Sequence, residues 1–197
     1  EDSLPETDAL YIGGGFPETH AAALADNRRF RADLKRRIEH GLPVLAECGG
    51  LVYLCRELIV DDVAYPMVGV FPVAFDVAER PQGHGYAVAV VERENPFFEF
   101  GLRLRGHEFR YSRVRGELQQ SVDMAFRMER GYGFDGGRDG LCKGNVLASF
   151  CHFHSRSVTG WAEGLVRCAA EYRNRRNGPV ELTGDLLYDN RLVFASA

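Results

Sequence analysis

The chain has 197 residues, enough for one substantial hydrophobic core and short for two domains. Hydrophobic residues make up 45% and charged residues 26%, with a formal net charge of −4; that balance argues against a broad polyanion-binding surface, so no nucleic-acid partner is expected. No run approaches the about 18 apolar residues of a membrane span, and no signal peptide opens the chain. Five cysteines without a CxxC pair argue against a disulfide framework and against a metal site, and fit a reducing cytoplasm.

Residues 1–7 are polar, carry no initiator Met and read as a linker from a longer polypeptide. Asp8 to Ile12 reads as a short buried strand that runs into the backbone-permissive turn Gly13-Gly14-Gly15. From Pro17 to His40 the spacing of Ala21, Leu24, Ala25, Phe30, Leu34 and Ile38 predicts two helices meeting near Asn27, the second closed by Gly41. Its basic cluster, Arg28 to Arg37, reads as a solvated helix face. Pro43 to Glu47 reads as the next strand and Gly49 to Leu58 as the next helix. A strand–helix–strand–helix order signals a parallel sheet covered on both faces. Short pieces at 68–77, 85–92, 102–111 and 122–130 read as an extended or antiparallel section. Gly144 to Phe150 is another buried strand, and Val158 to Arg175 the closing helix. The compact domain spans 8–176; the extension 177–197 carries Leu, Val and Phe enough to dock, at no assigned place.

Cys48 ends an apolar run and precedes two glycines and a helix. A thiol on that turn, at the positive end of a helix dipole, is expected to favour thiolate, the form that attacks carbonyl carbon. An inert buried cysteine is the competing reading. A thiol nucleophile needs a base that can also protonate a leaving amine, which histidine does at neutral pH. Of six histidines, His152 and His154 follow a buried strand at the edge where parallel α/β folds place their sites. One is expected to reach Cys48 while the other supports it or lines the rim. Gly13-Gly14-Gly15-Phe16-Pro17-Glu18 lacks the Lys-Ser/Thr end of a P-loop, but its N–H groups could help form an oxyanion hole. Arg105 to Ser112 mixes charged and aromatic residues, as a solvent-facing edge strand also would.

Taken in order, Tyr11-Ile12-Gly13-Gly14-Gly15-Phe16-Pro17-Glu18, Ala46-Glu47-Cys48-Gly49-Gly50-Leu51-Val52-Tyr53-Leu54, Gly106-His107-Glu108-Phe109-Arg110-Tyr111-Ser112 and Ser149-Phe150-Cys151-His152-Phe153-His154 resemble the class I (triad-type) glutamine amidotransferase domain. The resemblance is closest to the glutaminase half of the cobyrinic acid a,c-diamide synthase family. It implies a flavodoxin-like α/β fold, a mostly parallel sheet flanked by helices, with some extra antiparallel strands. It implies Cys48 as nucleophile on the side-chain amide of glutamine, His152 as base, and an oxyanion hole near Gly14 or Gly15 and Gly49. Glu108 and Tyr111 would lie near the glutamine pocket.

Most class I members read His-x-Glu at the histidine, where this chain has His154; the cobyrinate-type branch also tends to His-x-His, so a Cys-His dyad is expected, with His154 supporting. Ser155 and Arg110 depart from the branch's usual aromatic and histidine, and hint at another tetrapyrrole, of sirohydrochlorin or sirohaem type. The chain lacks GxxxxGK[ST], so ATP and Mg²⁺ are expected on an N-terminal synthetase domain or subunit, which would also hold the tetrapyrrole. No cofactor is expected in these residues, and homodimerisation stays open. The rival readings are a thiol hydrolase of the same superfamily and a non-catalytic domain.

Overall fold

The computed structural model describes residues 3–116 and 122–177, and the backbone of a strand at Leu192–Ser196. Its centre is a block of four parallel strands. β1 (Ala9–Gly13) and β2 (Val44–Glu47) pair in parallel, as the strand–helix–strand reading requires. On either side of them stand a strand at Val146–Ser149, parallel to β2, and the strand Leu192–Ser196, parallel to β1. Burial on both faces explains why β1, β2 and the Val146–Ser149 strand are apolar up to their carboxyl ends. Leu10, Ile12, Val44, Ala46, Val146 and Ala148 face one core, and Ala9, Leu45 and Leu147 face the other.

Between β1 and β2 the chain makes a 3-10 turn (Pro17–His20), α1 (Ala21–Asp26) and α2 (Arg28–Glu39), with Asn27 as the junction. Gly41, at φ 91°, closes α2. Arg28, Arg29, Lys35 and Arg36 are exposed on it, but Arg31 donates to the Met67 and Ala25 carbonyls and Arg37 to those of Leu4 and Pro5. Residues expected as a linker are therefore pinned to α2: Leu4 and Thr7 are buried, and the Leu4 N–H donates to Asp33.

α3 (Gly49–Leu54) is shorter than its sequence predicts. Cys55 turns extended, and β3 (Cys55–Val60) follows directly. It makes a hairpin with β4 (Val63–Pro66) through Asp61 and Asp62, both at positive φ (50° and 60°), the two-residue turn that suits strand twist. β3 pairs in parallel with β5 (Phe71–Val77), and β5 with β8 (Ser112–Val114), giving a second sheet of order β4-β3-β5-β8 among the described residues. Its Leu58, Phe71 and Phe75 pack into the core shared with α2 and α3.

The antiparallel part is larger than expected. β6 (Gly83–Val91), β7 (Arg103–Arg110), β9 (Asp123–Arg130) and β10 (Arg138–Lys143) join β11 (Val146–Ser149) and β12 (His152–Phe153). With β13 (Leu192–Ser196) the order is β12-β7-β6-β9-β10-β11-β2-β1-β13, a mixed sheet rather than a mostly parallel one. α4 (Trp161–Asn177) covers the face opposite α2 and α3. Of the C-terminal extension, Asn177 ends α4, residues 178–191 and 197 lie outside the described residues, and Leu192–Ser196 form β13.

Candidate active site

β2 is buried along its whole length and ends at Glu47. Cys48 then takes φ 49° and ψ −105°, a strained backbone for a residue with a Cβ. Two backbone bonds hold it: its N–H donates to the Ser149 carbonyl at 2.7 Å, and its own carbonyl accepts from Val52 at 3.2 Å to open α3. The glycines that follow are required by contact. A Cβ on Gly49 would stand 2.7 Å from the Gly15 carbonyl oxygen, and one on Gly50 2.5 Å from that of Ile12. The β1 loop thus lies directly on the start of α3. The result is a strand-to-helix elbow at the carboxyl ends of β1, β2 and β11.

The Cys48 thiol is buried and donates to the Phe109 carbonyl at 3.5 Å. Burial pushes its pKa up to about 11; the Gly49 N–H and Arg110 pull it down, and Glu18 and Glu47 push it further up. The expectation of a ready thiolate is therefore corrected. α3 is a single six-residue piece, and desolvation of the sulfur outweighs the pull of the Gly49 N–H at its start. The resting group is a thiol, and any attack by it needs a base.

His152 is placed by the short strand β12, whose partner is β7, with His152 opposite His107 and Phe153 opposite Gly106. A Cβ on Gly106 would collide with the His152 carbonyl, so that glycine permits the pairing. The His152 ring stacks on His107, with centroids 4.7 Å apart and planes 10° from parallel. Burial, then the neighbouring His107, lowers its pKa to about 4, so it is a neutral imidazole at neutral pH. Its Cε1 edge rests on Gly14, and its Nδ1 lies 4.0 Å from Glu47 Oε2. Among the described residues no hydrogen bond joins the Cys48 thiol to His152.

The β1 loop thus joins the two parts: Gly15 lies against Gly49, the residue after Cys48, and Gly14 against the His152 ring. His154 is not part of that group: it is exposed, and its Nδ1 accepts from the Arg156 N–H at 3.2 Å, shaping the turn after β12. Glu108 is also placed elsewhere. It is buried, its oxygens accept from the Tyr132 and Gly133 N–H groups, and the Cys151 thiol donates to it. It anchors the turn after β9 rather than lining an open pocket. Arg110 is buried too, stacked 3.9 Å over Phe150 and donating to the Ser112 and Gly133 carbonyls. Tyr111 is half-buried and meets Phe109 edge-on, with centroids 5.8 Å apart.

Glu108, Asp139 and Cys151 form a cluster of potential metal donors. Their acceptors are engaged by the chain itself: Asp139 takes the N–H groups of Gly140, Phe150 and Cys151 and the Ser149 hydroxyl. The thiol of Cys151 is held well above its ordinary pKa by burial and the two carboxylates. The cluster serves as an internal brace beneath the β11–β12 turn.

Sequence reasoning missed Glu47, His107 and the rim. Phe16 and Phe109, 50% and 39% exposed, meet edge-on at 6.3 Å, and His84 packs on Phe109 beside them. Phe109 also supplies the carbonyl that accepts from the Cys48 thiol. Exposed aromatics inside otherwise polar strand ends were the available signal for them.

Residues 1–159 match the family model of the CobB/CobQ-like glutamine amidotransferase domain. Cobyrinate a,c-diamide synthase from Methanosphaera stadtmanae is 40% identical over 171 residues, covering 87% of this chain and 37% of that protein. The enzyme of that name from Archaeoglobus fulgidus is 42% identical over 166 residues, 84% of this chain and 36% of that one. The chain therefore spans little more than a third of the length of these relatives. Among solved structures, a glutamine amidotransferase superposes with a TM-score of 0.60 at 20% identity, covering 83% of this chain and 79% of that one. PurLQS from Thermotoga maritima gives 0.56 at 16%, covering 88% and 83%. Those likenesses establish the class I amidotransferase α/β fold. With the elbow, the two glycine contacts and the sequence matches in agreement, the chain belongs to the CobB/CobQ-like glutamine amidotransferase domain family.

Proposed function

We propose that this chain releases ammonia from glutamine through a thioester on Cys48, for ATP-dependent amidation of a tetrapyrrole carboxylate by a synthetase domain or subunit outside these residues. The observation that carries the reading is the meeting of the Cys48 elbow, the neutral His152 imidazole and the Gly14–Gly15 loop at one sheet edge. His152 takes the thiol proton as sulfur attacks the amide carbon of glutamine. The N–H groups of Gly49 and of Gly14 or Gly15 receive the oxyanion. Collapse expels ammonia, protonated by the imidazolium, and leaves a γ-glutamyl thioester. Water, deprotonated by the same imidazole, hydrolyses it to glutamate and restores the thiol.

The relatives' shared name supports a cobyrinate-type macrocycle. The departure at Arg110 does not argue for another, because that side chain is buried, stacked over Phe150 and close enough to Cys48 to act on its thiol by charge, and offers no open surface to a macrocycle. ATP and Mg²⁺ are assigned to the synthetase part, and a cytoplasmic location goes with the pathway. No helix among the described residues is long and apolar enough to cross a membrane.

The test is glutamate release from glutamine by the wild type and by Cys48→Ala, with circular dichroism to show a retained fold. Release is lost in the variant if the reading holds, and unchanged release ends it. Turnover of peptides or esters with indifference to glutamine would move the assignment to a thiol hydrolase. A wild type inert to a glutamine-analogue electrophile, with the synthetase partner present, would make this a non-catalytic domain.

A further inference from the structure

We infer that Glu47, the residue immediately before the nucleophile, is the positioning acid for His152, where His154 supplies no carboxylate. Glu47 sits at the carboxyl end of β2, on the same face as Leu45, and is 3% exposed. Two donors fix it. The Tyr11 hydroxyl donates to Oε2 at 2.9 Å, and the Phe153 N–H donates to Oε1 at 3.2 Å. Phe153 directly follows His152, so Glu47 grips the backbone of β12 at the point that carries the imidazole.

Oε2 has a lone pair beyond the one used by Tyr11, and the His152 Nδ1 stands 4.0 Å from it. The ring's Cε1 edge rests on Gly14. With Nδ1 toward Glu47 and Cε1 toward the loop, Nε2 is the nitrogen left for the thiol proton. The gap exceeds a hydrogen bond; such bonds commonly tighten when substrate binds. A carboxylate that accepts from Nδ1–H fixes the tautomer with a bare Nε2 and stabilises the imidazolium that forms.

A purely structural role does not call for an acid here. Burial raises the Glu47 carboxyl pKa to about 7, against the pull of Tyr11 and the Phe153 N–H. An amide or an apolar side chain would fill the same space without that desolvation penalty. Other groups facing it are the Tyr11 hydroxyl from β1, the Trp161 indole from α4, and the adjacent Cys48 thiol, while His107 faces the other side of the His152 ring.

The inference rests on the proposed base role of His152, and its test separates the two. The side-chain ¹⁵N shifts of His152 are measured in the full chain for the wild type and Glu47→Gln, with glutaminase kcat and KM for both and for His152→Ala. The wild type should show the Nδ1–H tautomer, and Glu47→Gln a shift toward Nε2–H. Glu47→Gln should lower kcat by about 10²-fold, as for loss of general-base action, with KM within a few-fold. An Nε2–H tautomer in the wild type, or a Glu47→Gln variant with unchanged tautomer and kcat within twofold, overturns the assignment. Should Glu47→Gln fail to fold, the wild-type tautomer alone decides. A His152→Ala variant with full activity would instead remove the base role itself, whatever the tautomer.

Discussion

Gly14 lies so close under the His152 ring that a Cβ at position 14 would overlap Cε1. Gly14 is not among the glycines at positive φ, so alanine is acceptable to the backbone and the conflict is one of space alone. The site is thus built by a glycine on β1's loop that admits a ring from β12, two elements far apart in sequence. Gly14→Ala is expected to displace the imidazole and reduce glutamate release by about 10²-fold, the scale of a lost general base. The fold should survive with a loss of about 1–3 kcal/mol, as for other overpacked sites. Steady-state kinetics and thermal melts check both. Near-normal kcat would mean that the ring has no need of its observed seat.

The lowered pKa of His152 ties stability to pH. The folded state holds the ring neutral down to about 4, while an unfolded chain takes up the proton near 6.5. Between those values the unfolded state binds more protons, so stability is lost as pH falls through that window. His152→Asn removes this contribution. The melting temperature of the variant should gain on that of the wild type from pH 6.5 toward pH 4, and the difference should be flat above 7. The gain is bounded by about 1.4 kcal/mol per pKa unit and reduced by the ring's partial exposure. Parallel melting curves over the whole range would contradict a neutral, desolvated imidazole.

The Cys48 thiol, raised to about 11 by burial, makes a chemical forecast. Iodoacetamide should modify it more slowly than an unhindered cysteine at pH 7.5, with a rate still climbing through pH 9–10. Peptide mapping distinguishes it from Cys142, half-exposed but raised to about 12, and from the buried Cys55, Cys151 and Cys168. A glutamine-analogue electrophile seated beside His152 should react faster than iodoacetamide despite its bulk, because the imidazole then takes the proton. A rate already at its plateau at pH 7 would show a preformed thiolate and restore the first expectation.

Local pattern was legible where a single element decides it. The run from Val44 to Glu47, the glycines after Cys48 and the junction at Asn27 are where the residues imply. Failures came from tertiary pairing. Cys55 to Val60 continues an apolar pattern that a helix would also accept, and pairing with β4 and β5 makes it a strand. Glu108 and Arg110 stand in a stretch that reads equally as an edge strand or as part of a site, and their alternation with Leu104 on the buried face of β7 becomes clear only once that face is covered. His154 lay two residues from His152 in sequence, yet β12 ends at Phe153 and the chain turns away. Glu47 was hidden in plain view, since nothing in its own neighbourhood says that β12 will return against β2's end.

The brace at Asp139 gives the last forecast. This carboxylate is fully buried on β10 and accepts from the Gly140 N–H and Ser149 hydroxyl at 2.8 Å, the Phe150 N–H at 3.1 Å and the Cys151 N–H at 3.2 Å. The last three of those donors belong to the turn that delivers His152, so the acid fixes the base's backbone from a strand two places away from β2. Asp139→Ala leaves several buried N–H groups without acceptors, each worth about 1–3 kcal/mol. The variant should lose about 3 kcal/mol or more in chemical denaturation. Asp139→Asn keeps one oxygen acceptor and should lose less. In both, glutamate release should fall further than the folded fraction explains, because the β11–β12 turn loosens before the domain unfolds. Hydrogen exchange at Phe150 and Cys151 reads that loosening directly. Unchanged protection at these two amides in Asp139→Asn, alongside normal kcat, would show that the turn holds its shape without the carboxylate.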